Sequence, residues 1–489
     1  MNILNNFLIK FSWWSIRKTI YITITLFMSI LFIAFIILFF YMKSLPSLNI
    51  WHNIELKNEF NINSKIDTLD EYLTLEDKLF QELDSKIYSN LPKDEQKIIS
   101  RYTRNSLSDP KRWSKAWNRS FELPVKDAKM GVLLLHGMSD SPYSLHTQAE
   151  YLQKKGVWVL AMRMPGHGTI PSGLTTLKWQ EMAKVVKIGM KRLKEQLRDK
   201  PIHIMGYSTG ATLALNYTFD ALNNDDLTIP SSLIFYSPAI GISKMAPLAS
   251  WQNNLAEFLH IDKLKWNSID PEYDPFKYNS FAVNAGSQVY SLCSKVQDQF
   301  DEYAKNKEAI EKFPTVLSFQ SIVDNTVSVS AVVNNFYKRL PKGDHTLVMF
   351  DINHNFSNNL IVRKQVNNKL IKLRQNTKNS NYTFDLISNI NSKNGHLKLI
   401  RDGKVIKDLP YNWTNSIFSL SHLAMPISMN DGLYGVSNSQ KSIGIKLGQL
   451  SMYGESTVLE ISPSAQLRQR WNPFQGYITH RIEEFLALP

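Results

Sequence analysis

The pentapeptide Gly206-Tyr207-Ser208-Thr209-Gly210 holds a serine with a glycine two positions to either side. An apolar run precedes it at 202–205 and an alanine- and leucine-rich stretch follows at 211–222, which predicts a strand, a sharp turn and a helix. A side chain at either glycine would collide with the strand or the helix, and the turn lifts the hydroxyl above the sheet. The helix N-terminus stabilises negative charge beside it. We therefore predict that Ser208 is the nucleophile of an acyl-transfer reaction.

A serine nucleophile of this kind needs a base and an acid. Asp324 follows an apolar run at 315–320 and precedes a predicted helix, where its other reading is a helix N-cap. His354 ends the apolar run at 346–353, soon after this acid. His422 lies much further along the chain, but the preceding residues IFSLS are predicted to be an apolar strand that meets the histidine through Ser-Leu-Ser, which is the better setting for a base. We favour Asp324 as the acid and His422 as the base, with His354 as the alternative base.

Two backbone amides are the candidate oxyanion hole. His136-Gly137-Met138 closes the apolar strand predicted at 131–135, and such a loop donates one N–H group to the oxyanion. The residue after the nucleophile donates the second, so the N–H groups of Met138 and Thr209 are assigned. Each well-placed donor lowers the barrier by about 3 kcal/mol. The side chain of His136 is predicted only to orient the loop.

The residues around these candidates alternate between short apolar runs and helical patterns. Strand patterns are found at 131–137, 157–164, 201–206, 231–239 and 314–320, and helical patterns at 141–156, 177–197 and 211–222. Continuous apolar strands between helices predict an α/β fold with a mostly parallel, doubly wound sheet, here over 126–489. The aromatic-rich stretch at about 246–313 is predicted to be a cap over a substrate pocket, or else a plain extension. With His422 as the base, a second insertion is expected at about 343–412.

The first part of the chain has a different composition. Residues 19–42 contain no charged side chain, and a helix of this length reaches about 36 Å, enough to cross a hydrocarbon core of about 30 Å. A cleaved signal peptide fits less well, because the apolar part is long and no small-residue cleavage site follows. Lys10, Arg17 and Lys18 precede the span, which predicts a cytoplasmic segment at 1–18 and an extracytoplasmic, periplasmic catalytic domain. Residues 43–125 are predicted to be a linker with one amphipathic helix that packs on the catalytic domain.

The remaining composition restricts partners and cofactors. The net charge of +13 fits an anionic membrane surface better than nucleic acid, because the basic residues are dispersed and no nucleic-acid-binding motif is found. The single cysteine, Cys293, excludes an internal disulfide and a cysteine-based zinc site. Metal-binding histidine motifs and nucleotide-binding glycine loops are missing from the sequence, so no cofactor or metal is predicted.

Five motifs occur in order between about 130 and 355: LLLHGMSDSPYSL, RMPGHGT, MGYSTGA, FYSPAIGIS and VDNTV. Together they resemble the α/β-hydrolase superfamily, near its monoacylglycerol-lipase and serine-aminopeptidase-like branch. WNRSFEL, DPFKYNSF and FSLSHLAMP further resemble a group of bacterial membrane-anchored α/β hydrolases of unassigned substrate. The resemblance implies an α/β-hydrolase fold and hydrolysis of esters or similar acyl bonds.

The function expected from these features is that of a membrane-anchored serine hydrolase. It would cleave carboxylic esters, such as acylglycerols or lysophospholipids, because an aromatic-rich cap and a membrane tether suit a lipid-like substrate. An aminopeptidase-like amide hydrolase would use the same residues, with a negatively charged pocket for a free amine. A membrane-tethered binding protein on the same fold would have lost the serine or the acid, and both are present. The oligomeric state is left open.

Overall fold

The computed structural model describes residues 2–241, 261–305, 311–356, 381–390, 392, 394–436, 443–450 and 462–489. The chain divides into two compact units, Met1–Leu48 and Asn49–Pro489. The first unit is formed by helix α1 (Asn2–Ser44). Within α1, Trp13–Ser44 is long and apolar enough to cross a membrane, a criterion of length and composition that a signal sequence also meets.

The second unit is built on a mostly parallel sheet. Its strands are β1 (Phe121–Leu123), β2 (Gly131–Leu135), β3 (Trp158–Met162), β4 (Ile202–Tyr207), β5 (Ser232–Tyr236), β8 (Thr315–Ser321), β9 (Thr346–Phe350), β10 (Thr383–Ser388), β11 (His396–Arg401) and β12 (Lys404–Asn412). Among the described residues they form one ten-stranded sheet in the order β1-β3-β2-β4-β5-β8-β9-β10-β11-β12. Strands β2 to β5 and β8 to β10 pair in parallel, while β1, β11 and β12 are antiparallel to their neighbours. β6 (Trp266–Ser268) and β7 (Phe281–Ala282) form a separate hairpin.

Helices cover both faces of this sheet. The remaining helices are α2 (Ile50–Asn53), α3 (Leu69–Leu83), α4 (His146–Lys154), α5 (Gly173–Thr176), α6 (Trp179–Leu197), α7 (Thr209–Leu222), α8 (Val283–Tyr303), α9 (Val329–Ala331), α10 (Pro463–Gln466) and α11 (Gln475–Leu486). On one face, α4 and α11 form an apolar cluster with alternate strand residues such as Val132, Met205 and Ile234. On the other face, α6 and α7 cover the intervening residues, and Gly189 of α6 lies directly over Leu133. Strands β2 to β5 and β8 to β10 are buried on both sides, which explains their continuous apolar sequence, whereas the edge strands β1, β11 and β12 are partly exposed.

Helix α3 joins the second unit through a buried ion-pair network. Its capping box, in which the Thr68 hydroxyl accepts from the Glu71 N–H, fixes the start of the helix. Tyr72 donates to the carbonyl of Arg163 at 2.8 Å, and the guanidinium of Arg163 lies 2.9 Å from a Glu76 oxygen. Both charged side chains are buried, and breaking such a pair would leave an uncompensated charge. Residues from 49 onward, predicted as part of a linker, thus belong to the same compact unit as the sheet.

The predicted insertion at 343–412 continues the main sheet in its described part. β9 pairs in parallel with β8, β10 pairs in parallel with β9, and the β11–β12 hairpin is added at the edge. Residues 357–380 lie outside the described residues. Of the predicted cap at 246–313, residues 246–260 and 306–310 lie outside them too. Helix α8, in the described part of the predicted cap, packs against α6 and α7.

Candidate active site

Ser208 occupies the turn between β4 and α7 with a backbone strained into φ 53° and ψ −115°. A Cβ atom on Gly206 would lie 2.5 Å from the Ala211 nitrogen, and one on Gly210 would lie 2.1 Å from the Leu135 carbonyl oxygen. Real Cβ atoms do not approach backbone this closely, so both positions require glycine. The turn therefore has the geometry that the G-x-S-x-G pattern predicts, with the serine at the carboxyl end of a central strand.

Asp324 and His422 form a direct pair beside this turn. The Nδ1 atom of His422 lies 2.9 Å from Oδ2 of Asp324, and both side chains are almost fully buried. The carboxylate also accepts from the Gln320 amide at 2.9 Å and from the N–H groups of Thr326 and Val327 at 2.8 and 3.1 Å. Burial acts to raise the pKa of Asp324, but His422 and these N–H donors outweigh it and hold that pKa below its ordinary value. Because an ionised carboxylate only accepts, Nδ1 carries the proton and Nε2 is left as the basic nitrogen.

The imidazole of His422 lies next to the residue that precedes the serine. The rings of Tyr207 and His422 have centroids 5.2 Å apart, and the Tyr207 hydroxyl donates to the His422 carbonyl at 3.4 Å. Hydrogen bonds among the described residues do not include one between the Ser208 hydroxyl and His422. Such contacts are often long in the absence of substrate and tighten when substrate binds.

The alternative base, His354, is paired with a different carboxylate. Its Nε2 lies 2.8 Å from Oδ2 of Asp351, a buried residue that also accepts from the Ser388 hydroxyl at 2.7 Å. The backbone N–H of His354 donates to the Asn389 side chain at 2.8 Å. These contacts hold His354 at the ends of β9 and β10, while Asp324 is engaged by His422.

His422 is carried by the chain that returns from the β11–β12 hairpin, which we term the return segment (residues 413–422). The N–H of Asn353 donates to the Phe418 carbonyl at 2.8 Å and its side-chain amide donates to the Ile417 carbonyl at 3.0 Å. The buried Ser321 hydroxyl donates to the Leu420 carbonyl at 2.8 Å. The segment is thus fastened across the carboxyl ends of β9 and β8 before it reaches the acid. Sequence reasoning did not single out Asn353 or Ser321, since neither belongs to a local motif.

The candidate oxyanion loop lies against the elbow. A Cβ atom on Gly137 would lie 3.1 Å from the Ser208 Cβ, so a larger residue here would require the loop or the elbow to shift. The N–H groups of Met138 and Thr209 donate to no other residue in the described part of the chain. His136 accepts from the Met164 N–H at 3.0 Å through Nε2, and its Nδ1 donates to the Gly137 carbonyl at 2.8 Å. Burial lowers the pKa of His136 well below its ordinary value, so the neutral ring braces the loop.

A cavity of about 630 Å³ opens beside His422 and Asp324. Its lining contains several charged side chains, and those outside the Asp324–His422 pair are Asp140, Asp270, Asp274, Lys277, Arg468 and Arg470. Of the aromatic residues in the predicted cap, Tyr273 and Tyr278 line this cavity. Phe276 instead stacks on Tyr143 at 4.1 Å, and Trp266 is buried against His52. Within the described ranges, no group of His, Cys, Asp or Glu side chains has the arrangement of a metal site.

Comparison with known proteins identifies the family. The family described as serine aminopeptidase, S33 matches residues 126–353. A thermostable monoacylglycerol lipase of Bacillus sp. (strain H-257) is 33% identical over 177 residues, which cover 36% of this chain and 67% of the lipase. The matched family region ends before His422, so the candidate base comes from sequence beyond it.

Solved structures with some likeness include two monoacylglycerol lipases. That of Paleococcus ferrophilus is 17% identical, covers 47% of this chain and 88% of its own, and has a TM-score of 0.36. A soluble variant of the Saccharomyces cerevisiae enzyme is 16% identical, covers 47% and 82%, and has a TM-score of 0.35. Because these likenesses are low, the family assignment depends on the sequence matches and on the strand order described above. The chain belongs to the α/β-hydrolase superfamily, in the branch of the serine aminopeptidase S33 family and the monoacylglycerol lipases.

Proposed function

We propose that this α/β-hydrolase is a serine hydrolase of carboxylic esters, with Ser208 as nucleophile, His422 as base and Asp324 as acid. The observation that carries the proposal is the 2.9 Å contact between His422 and Asp324 beside the strained turn that holds Ser208. The name of the related Bacillus protein, a monoacylglycerol lipase, supports an ester as the bond that is cleaved.

The reaction proceeds in two halves. The Ser208 oxygen attacks the ester carbonyl while its proton passes to Nε2 of His422, and the N–H groups of Met138 and Thr209 stabilise the oxyanion. Collapse of the tetrahedral intermediate breaks the bond to the alcohol, which leaves with the proton from His422. A water molecule then attacks the acyl-enzyme, again with His422 as base, and releases the carboxylic acid and Ser208. Asp324 stabilises the imidazolium in both halves.

We further propose that α1 anchors the enzyme in the membrane, with the catalytic unit on the extracytoplasmic side. The charge-free stretch within α1 and the basic residues before it support this orientation. An anchored hydrolase would meet ester substrates that partition into the bilayer.

The nucleophile assignment is tested with Ser208→Ala in the full-length, detergent-solubilised chain. We expect hydrolysis of p-nitrophenyl butyrate to fall by about four orders of magnitude or more, with an unchanged circular dichroism spectrum. Labelling by a fluorophosphonate probe should disappear as well. Ser231→Ala, at an exposed serine before β5, is the matched control and should keep both activities. Retained turnover or labelling in Ser208→Ala would reject the assignment.

A further inference from the structure

Arg468 and Arg470 line the same cavity as His422. They flank Gln469, whose carbonyl accepts a hydrogen bond from the Ser421 hydroxyl. Ser421 immediately precedes His422, so this bond links the segment that carries both arginines to the segment that carries the candidate base. Both residues are partly buried, and both line the cavity.

The two guanidinium groups are held by neutral partners. Arg468 donates to the Thr326 hydroxyl at 2.6 Å, and Arg470 donates to the Tyr273 hydroxyl at 3.3 Å and to the Leu447 carbonyl at 3.5 Å. The ion pairs found among the described residues include neither arginine. Because a guanidinium has five N–H donors, each group keeps donors for a ligand beyond these contacts. Arg470 also attracts the buried carboxylate of Asp274, whose pKa it acts to lower.

The carboxylates in the cavity are mostly engaged by the protein. Asp324 pairs with His422, and Asp140 lies 3.8 Å from the Lys277 ammonium. Asp274 accepts from the Tyr434 hydroxyl at 2.7 Å and from two backbone N–H groups. Asp270 is half-buried, and burial raises the pKa of its carboxyl. The lining therefore carries charge of both signs, and Arg468 and Arg470 are its cations that form no ion pair among the described residues.

The shared cavity relates the arginines to one part of the substrate. His422 must hand its proton to the leaving oxygen in the proposed reaction, and it lines the same cavity as both arginines, so we expect the alcohol part of the substrate to lie nearer to them than the acyl part. The acyl side is better matched by the apolar cluster of Ala239, Val289, Cys293 and Val327, on which Met138 of the candidate oxyanion loop packs.

We propose that Arg468 and Arg470 form an anion subsite that binds a phosphate on the alcohol part of the ester. The substrate class is thus an acylated polyol phosphate, such as a lysophospholipid with an exposed phosphomonoester. This inference rests on the proposed ester-hydrolase function. Guanidinium groups bind phosphate through paired, charge-assisted hydrogen bonds, which are stronger than neutral ones.

The kinetic test compares 1-lauroylglycerol with 1-lauroylglycerol 3-phosphate in the full-length enzyme. We expect a higher kcat/KM for the phosphate ester, and a fall of about tenfold or more in the ratio of the two kcat/KM values in Arg468→Gln and in Arg470→Gln. Arg198→Gln, at an exposed arginine after α6, is the matched control and should leave the ratio unchanged. An equal rate on both esters, or a ratio that the variants do not alter, would overturn the subsite. Faster turnover of a lysophosphatidylcholine or of an aminoacyl amide would overturn it too.

A binding measurement separates this inference from the proposed function. In calorimetry, glycerol 3-phosphate should bind the Ser208→Ala variant, and more weakly at high salt. It should not bind the double variant that combines Ser208→Ala with Arg468→Gln. Binding of inorganic phosphate with the same affinity would mean an anion site that does not recognise the substrate, and would overturn the proposal, as would no binding. Failure of the proposed function would instead appear as ester hydrolysis that does not depend on Ser208.

Discussion

His354 and His422 each have their own carboxylate, Asp351 for the first and Asp324 for the second. An imidazole that donates to a carboxylate is oriented as a base only if its other nitrogen reaches the nucleophile. The ring of His422 lies beside Tyr207, one residue from the serine, whereas His354 lies between the ends of β9 and β10. At the scale of single residues, the position of the partner and not the histidine itself distinguishes the two candidates.

The first prediction follows from this difference. His422→Ala should lower kcat by about four orders of magnitude or more, because Ser208 then loses its proton acceptor. His354→Ala breaks only its contact with Asp351 and should change kcat/KM by less than about threefold. Ester hydrolysis by the two purified variants checks the assignment. The reverse ranking would move the base to His354.

A second prediction at this scale concerns Asp140. Burial raises the pKa of this carboxyl from 3.8 to about 6, although Lys277 opposes the shift. Between pH 3.8 and about pH 6, the Asp140 carboxyl therefore binds more protons in the folded protein than in the unfolded chain. Stability should therefore fall as the pH rises from about 4 through about 6, by up to about 3 kcal/mol from this residue.

Asp140→Asn removes this ionisation. We measure the free energy of unfolding in urea by tryptophan fluorescence for both proteins. Between pH 4 and pH 7.5 the variant should become more stable relative to the wild type, by up to about 3 kcal/mol. Two parallel pH profiles would show that Asp140 ionises in the folded protein as readily as in the unfolded chain.

At the scale of elements, the site depends on the return segment more than on the strand that would ordinarily precede the base. Along the chain, β10, β11 and β12 come before this segment, which then reaches Asp324. Asn353 and Ser321 hold the segment by hydrogen bonds across two strand ends. A positioning residue of this kind acts through the geometry of the base and should affect the chemical step more than substrate binding.

The third prediction tests the fastening by Ser321. Ser321→Ala removes the hydrogen bond to Leu420, worth about 1 kcal/mol, and should lower kcat about fivefold to tenfold with little change in KM. Ser388→Ala is the matched control, because Ser388 is equally buried but donates to Asp351. Steady-state kinetics of both variants with one ester provide the measurement. An equal loss of kcat in the two would indicate a general loss of stability.

Local sequence patterns predicted the parts of the site that are themselves local. The glycines of the elbow and the position of Asp324 after β8 lie within a few residues of the feature they specify. The strand predicted before His422 was wrong: residues 413–422 form no strand, because hydrogen bonds to distant strand ends such as that from Ser321 hold this segment. The pairing of β10 with β9 and the placement of Arg468 depend instead on contacts between distant parts of the chain. The short polar stretch around residue 468 has no periodicity that indicates a pocket. That its arginines line the cavity is therefore seen only in the structure. Composition does not distinguish a pocket wall from a core either, since Tyr273 and Tyr278 line the cavity whereas Trp266 and Phe276 are buried in packing contacts.

At the scale of the whole molecule, the two units differ in how they meet solvent. The side chains in the apolar part of α1 are exposed on all sides, whereas the second unit buries its apolar residues in a sheet covered on both faces. A helix that is apolar all round suits a hydrocarbon environment rather than water.

The fourth prediction concerns this helix. The full-length chain should remain with membranes after a high-salt wash and be released by detergent. Leu31→Arg combined with Phe35→Arg should release it, since each arginine at the centre of a span costs about 2.5 kcal/mol or more. Phe35→Leu is the control and should stay bound. Mass spectrometry of the membrane-bound protein should find residues 1–44, and a mature chain that begins after them would identify a signal sequence.

The long path from acid to base also orders events during synthesis. A ribosome completes Ser208 and Asp324, with the strands that carry them, well before it reaches His422, and domains begin to fold as they emerge. A nascent or prematurely ended chain can thus hold a finished nucleophile elbow and still lack its proposed proton acceptor. With the proposed base, hydrolysis would begin only after residue 422 has been made, so an incomplete enzyme would leave its proposed ester substrates intact.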